Sequence, residues 1–219
     1  LAWIIFFEMA LVYFASAVLL GARAVCPKVS WLGFILMLVG GVLINVIVLL
    51  GKADVMFTSY VPLKADPLYY LGVILFAVGA LIGFIMFFVN IAYAKKEKAF
   101  SGSLPLGSFG LLAASIIGVL TLVHGAVIMI PTFLWSAGII QNLDPSLYRL
   151  VFWALGHASQ QINVCAMVAI WYMAAYFTVG AVPLNERVSR TGFILYILFI
   201  NVASEHHLLV DPALSTWHK

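Results

Sequence analysis

The chain has 219 residues, of which 65% are hydrophobic and 9% charged, with a formal net charge of +3. Soluble domains run nearer ~45–50% apolar and ~25% charged, so a soluble fold of this size is excluded, and the small, unclustered positive balance does not suggest nucleic acid as a partner. Both figures fit a chain whose solvent is membrane lipid.

A spanning helix needs about 20 mostly apolar residues. Six stretches qualify, at Leu1–Ala22, Trp31–Leu50, Leu68–Tyr93, Phe109–Ile140, Leu147–Val179 and Thr191–Val210. They show no two-residue alternation, and unpaired backbone groups are not tolerated in lipid, so the expected fold is all-α: a polytopic transmembrane bundle of about six helices forming a single transmembrane domain over residues 1–219. The fourth and fifth stretches exceed the hydrocarbon thickness, which favours tilt, and Pro131 is expected to kink the fourth. No cleavable signal peptide precedes the first stretch, and the chain reads as cut from something longer. Cys26 and Cys165 show no ligand-like spacing.

The connections are short and polar. Arg23–Ser30, Lys95–Pro105 and Pro183–Arg190 together carry seven Lys/Arg, whereas Lys52, Lys64, Arg149 and Lys219 supply four on the other side. The positive-inside rule then places loops one, three and five in the cytoplasm and the start of the chain outside. Lys52–Pro67, with Tyr60, Pro62 and Pro67, is expected to form an interfacial turn, and the fourth connection, Gln141–Ser146, holds Asp144–Pro145.

Polar residues deep in a span default to a functional hypothesis. The fifth span carries Gly156-His157-Ala158-Ser159-Gln160-Gln161-Ile162-Asn163, and the sixth carries Asn201, Ser204 and Glu205-His206-His207. Imidazole is the commonest ligand for zinc, copper and iron, so His157, His206 and His207 are the candidate metal ligands. Adjacent helical residues point about 100° apart. His206 and His207 can therefore share a metal only if it sits between their directions or the helix bends there, and Asp211-Pro212 favours a nearby helix end. Gln161, four residues after His157, borders the same site. Elsewhere the bland readings are favoured. His124 reads as an interhelical hydrogen bond, and Glu8 as a partnered or headgroup-level carboxylate. Ser159, Gln160 and Asn163 read as interhelical hydrogen-bond glue, and Trp153 and Trp171 as core or interface anchors.

At these residues the chain resembles the catalytic subunit of the haem–copper oxygen reductase superfamily, nearest its B-type branch. The motif there is Gly-His on one helix and His-His on the next, here Gly156-His157 and His206-His207. Thr58-Ser59-Tyr60-Val61-Pro62-Leu63-Lys64, Tyr70-Leu71-Gly72, Asp144-Pro145, Phe152-Trp153, Asp211-Pro212 and Trp217 fall at similar spacing. The resemblance implies helices two to seven of a subunit of twelve or more. It implies copper or iron held by His157, His206 and His207 opposite a high-spin haem, with a low-spin haem beside it. The haem ligands of the complete subunit have no counterpart in this chain. It also implies electrons from a donor subunit, cytochrome c or quinol, and residence in a prokaryotic cytoplasmic membrane.

Two departures bear on the chemistry. Oxygen-reducing relatives carry a redox-active tyrosine where this chain has Gln161, and an amide neither oxidises nor loses a proton readily. Glu205 stands directly before the His-His pair, where the oxidase pattern has no acid. Nitric oxide reductases of the superfamily lack the tyrosine and keep glutamates near the non-haem metal. The expectation is therefore a nitric oxide reductase, with Gln161 and Glu205 lining its pocket. The alternatives are an oxygen reductase with a relocated or missing tyrosine, and a non-enzymatic transporter or structural subunit. Of the B-type proton path, Tyr172 matches a channel tyrosine, while Val168 replaces another.

Overall fold

The computed structural model describes residues 2–212 and 214–217, with side chains from Ile5 onward; Leu1 and Lys219 lie outside the described residues. Six helices follow one another: α1 (Ala2–Phe14), α2 (Pro27–Leu49), α3 (Pro67–Lys96), α4 (Leu106–Ser136), α5 (Pro145–Val179) and α6 (Glu186–Val202). A π-helical turn, Ala15–Leu19, extends α1, and a 3-10 turn, Ala203–Leu208, extends α6. No strand occurs among the described residues. The bundle is all-α, as expected, with α2 to α5 long and apolar enough to cross a membrane.

The other two elements each end in a change of winding. α1 runs from Ala2 and continues into the under-wound turn Ala15–Leu19, close to the expected stretch Leu1–Ala22. The sixth is 17 residues long, opens on Glu186 and Arg187, and ends at Val202, not Val210. Hydropathy alone does not register a change of winding, so the sequence carried the sixth span past the end of its α-helix at Val202. Pro131 lies inside α4, which continues through it as one helix.

Local chemistry sets the helix starts. Asp66 precedes Pro67 and accepts the Leu68 N–H at 2.9 Å. Asp144 precedes Pro145 and accepts the Ser146 N–H at 2.8 Å. Asn185 accepts from the Arg187 and Val188 amides at 3.1 and 3.2 Å. In each case a short polar side chain satisfies first-turn N–H groups that have no intrahelical partner. Gly180, at φ +67°, closes α5 in the left-handed conformation.

Antiparallel α2 and α3 meet backbone to backbone through paired glycines, Gly33 against Gly79 and Gly40 against Gly72. A Cβ on Gly40 would fall 2.5 Å from the Gly72 carbonyl oxygen and 2.6 Å from the Phe76 amide nitrogen. Small residues permit such approach, and association in lipid depends on it because there is little hydrophobic drive between helices. Gly40→Ala is expected to destabilise the bundle by about 1–3 kcal/mol, as overpacking does, measurable as an earlier thermal transition of the purified protein. Gly192→Ala, whose added Cβ meets nothing within 4 Å, is the control.

A second apolar cluster gathers at one end of the bundle. There the Lys52–Pro67 connection folds over the start of α3, the end of α4 and the start of α5, burying Val55, Val61, Tyr70, Met129, Tyr148 and Phe152. Tyr148 Oη donates to the Thr58 carbonyl at 3.0 Å. At the opposite end, Arg190 donates to Ser103 Oγ at 3.3 Å and to the Leu104 carbonyl, so loops three and five share a side. The polar residues of α5 and the 3-10 turn lie toward the first of these ends.

Candidate metal centre

The winding change after α6 answers how two adjacent histidines can face one point. His206 and His207 sit in the 3-10 turn, where His206 Nδ1 engages the Ala203 carbonyl. That contact leaves His206 Nε2 as the free ring nitrogen. His157 faces the pair from α5, with Nδ1 3.0 Å from His207 Nε2. The His157 ring meets the His206 ring edge-to-face, with centroids 4.3 Å apart. One ligand atom from each of the three histidines lies within 4.8 Å of the others.

This donor set fits a metal. Two nitrogens bound tetrahedrally at about 2.0–2.1 Å stand about 3.3 Å apart, close to the separation of His157 and His207. Three imidazoles gathered in this way can hold copper, iron or zinc.

The surroundings fix the rings. Trp153, one turn before His157, stacks flat on His207 with centroids 3.8 Å apart. Its indole N–H donates to Tyr60 Oη at 2.7 Å, tying the cluster to the Lys52–Pro67 connection. Burial pushes the Tyr60 phenol upward in pKa, only partly offset by the Trp153 N–H, so it stays protonated at neutral pH. Arg149 Nε donates to Asp211 Oδ2 at 2.7 Å and its terminal nitrogen reaches Oδ1 at 3.4 Å. This pair pins the segment after the 3-10 turn to the start of α5. Trp153 was read from the sequence as an anchor, and its part in the site was missed. The available signal was its place four residues before His157, on the same helical face.

Other sequence candidates fall differently. Gln161 lies one turn along α5 from His157, where its Oε1 accepts the hydroxyl of Tyr196 from α6. The sequence had not singled out Tyr196. Glu205 is half-buried on the 3-10 turn, and its carboxylate is not among the clustered ligand atoms. His124 Nδ1 engages the Leu120 carbonyl at 2.8 Å, so its bond runs along α4, not between helices. The expected interhelical glue is also absent: Ser159 bonds back to the Gly156 carbonyl at 2.8 Å, Gln160 is exposed, and Asn163 Oδ1 is buried without a partner. Glu8, expected to be partnered or at headgroup level, is buried with both carboxyl oxygens unbonded. Trp171 faces outward at 58% exposure, as suits an anchor in lipid. Tyr172 Oη and Ser189 Oγ meet at 2.9 Å between α5 and α6.

Comparison with known proteins follows these features closely. The family described as "Cytochrome C and Quinol oxidase polypeptide I" matches residues 1–219. Cytochrome c oxidase subunit 1 of Thermus thermophilus is 26% identical over 191 residues, covering 85% of this chain and 34% of that protein. The solved structure of a haem–copper terminal oxidase dimer superposes with a TM-score of 0.90 at 24% identity, over 99% of this chain and 38% of that one. At that identity the superposition speaks for the fold. The chain thus spans about a third of the length of the relatives it matches. With transmembrane helices, a three-histidine cluster and a family match over its full length, the chain belongs to the cytochrome c and quinol oxidase polypeptide I family of haem–copper oxidoreductases.

Proposed function

We infer that this chain provides the non-haem metal site of an oxygen reductase, in which O2 takes up four electrons and four protons to give two water molecules. The relative named cytochrome c oxidase subunit 1 supports this over the nitric oxide reductase expected from the sequence. The observation in the molecule that carries it is Tyr196. Its hydroxyl bonds the side chain of Gln161, the residue standing where oxygen-reducing relatives keep their tyrosine. A phenol can release a proton and an electron; the amide it touches cannot. The missing tyrosine is in this reading a relocated one, supplied from α6.

His157, His206 and His207 would hold the metal. When bound, it would supply a redox-active Lewis acid to the reacting gas. Copper is favoured over iron, because the cluster is all imidazole and Glu205 stays out of it. Trp153 and the Arg149–Asp211 pair keep the imidazoles oriented. Residues 1–219 form one transmembrane domain of the larger catalytic subunit. That subunit would hold the high-spin and low-spin haems and receive electrons from cytochrome c or quinol through a donor subunit. Loops one, three and five face the cytoplasm, which puts the metal cluster toward the outer side of a prokaryotic cytoplasmic membrane.

Nitric oxide reduction is the second reading, in which two NO, two electrons and two protons give nitrous oxide and water. Gln161 at the tyrosine position and Glu205 beside the His-His pair favour it. The purified complex decides between them. Rapid O2 consumption with no nitrous oxide formed from NO is the expected result; nitrous oxide production with slow O2 consumption overturns the oxygen reductase reading.

A further inference from the structure

Glu8 takes no part in the site just described. It lies on the inward stripe of α1 with Ile5, Met9 and Val12, is 3% exposed, and has no hydrogen-bond partner at either carboxyl oxygen. The ion pairs found among the described residues, Arg149–Asp211 and Arg190–Glu186, do not include it. Across the seam, α5 presents Asn163, whose Oδ1 is also buried and unpartnered. Glu8 and Asn163 line the same cleft of about 320 Å³, with apolar walls that include Leu11, Ala166 and Ile170. Cys165, also on α5, lies within electrostatic reach of Glu8, and its thiol is directed to the Gly110 carbonyl.

A carboxylate and an amide oxygen are both acceptors and cannot satisfy each other. Among the described residues no cationic side chain supplies the donor, and an unpaired anion between apolar helices is the costliest form of the group. A proton on the carboxyl gives it a donor. A water bridging to the amide oxygen would complete the set, and the cleft has room for several molecules at about 30 Å³ each. Asn163 stands six residues beyond His157 on α5, about 9 Å along the helix. The pair therefore lies deeper in the bundle than the metal cluster and apart from it.

We propose that Glu8 and Asn163 form a proton-binding site in the α1–α5 seam, where the neutral carboxyl of Glu8 exchanges its proton with water bridged to the Asn163 carbonyl. The ligand is a proton carried by water. The site holds whichever gas the enzyme reduces, so its test does not depend on the substrate.

Infrared spectra of the complete complex in lipid test this, with wild type compared against Glu8→Gln and Asn163→Leu. A protonated-carboxyl C=O band present in wild type and lost in Glu8→Gln is expected. That band should move to lower frequency in D2O, and to higher frequency in Asn163→Leu, where the bridged water loses its acceptor. Visible spectra identical to wild type show that the variants are folded, and Asn163→Leu keeps Glu8 itself intact should Glu8→Gln fail to assemble. No band lost in Glu8→Gln, a Glu8 band indifferent to D2O, or a band unmoved in Asn163→Leu each overturns the proposal. So does a Glu8 carboxylate band that responds to added sodium or potassium, which would make this a metal-cation site.

Discussion

Replacing His157 with alanine is expected to empty the non-haem metal site while leaving the haem spectrum in place. The reason lies in how the ligands are distributed. His206 and His207 share one short 3-10 turn, and His206 is exposed. His157 is 8% exposed and is the only ligand that α5 contributes. Without it the two remaining imidazoles offer a metal an open, two-coordinate seat. Loss of an outer partner alone costs roughly 10–100-fold in affinity or activity; loss of a ligand should exceed that, with turnover falling by more than about 100-fold. Metal analysis alongside the visible spectrum makes the measurement. Trp153→Leu, which removes the stacked ring but no ligand, should fall within the smaller range. Glu205→Gln should retain the metal, since its carboxylate is outside the cluster. Full metal occupancy in His157→Ala would place the centre elsewhere.

The apolar runs foretold the bundle because lipid imposes one rule on every spanning segment: its backbone must bond within itself. The sequence had placed Pro67 and Asp144–Pro145 in connections, yet both prolines open helices, with the preceding aspartate accepting a first-turn amide. The three histidines could be grouped because so few polar residues occur in the spans. What could not be read depended on winding or on a partner from another helix. The bend that converges His206 and His207 was left open, and it is the 3-10 turn after Val202 that provides it. Trp153 gains its role only from the position of His207, and Tyr60 reaches Trp153 from 93 residues away. Glu205 adjoins the ligands in sequence, yet its neighbours' side chains turn to the metal position and its own does not. Adjacency in sequence was a poor guide there. For Glu8 the expectation of a partner followed from energetics, and only packing could show that no side chain meets it.

Gln161 was read as an amide where chemistry needed a phenol, and Tyr196 reopens that reading. Tyr196→Phe removes one hydroxyl, the one donating to Gln161 Oε1, and leaves the ring packed between α5 and α6. If this phenol supplies the proton and electron for O2 reduction, the variant should keep its haem and metal content and lose about 10²-fold or more in O2 turnover, the scale of a positioned proton donor. Apparent substrate affinity should change little, because the contact Tyr196 makes is with Gln161, one turn of α5 beyond the ligand His157. A purely structural hydroxyl would instead lower thermal stability by about 0.5–1.5 kcal/mol, the worth of one hydrogen bond, with turnover preserved. The double variant Gln161→Tyr, Tyr196→Phe separates these outcomes further. It returns a phenol to α5, one turn from His157, and should recover part of the lost O2 turnover. An enzyme that reduces NO would be indifferent to both changes, since two-electron chemistry at the metal pair needs no oxidisable side chain. Unchanged O2 turnover in Tyr196→Phe would therefore remove the main structural support for oxygen reduction and return the balance to Gln161 and Glu205.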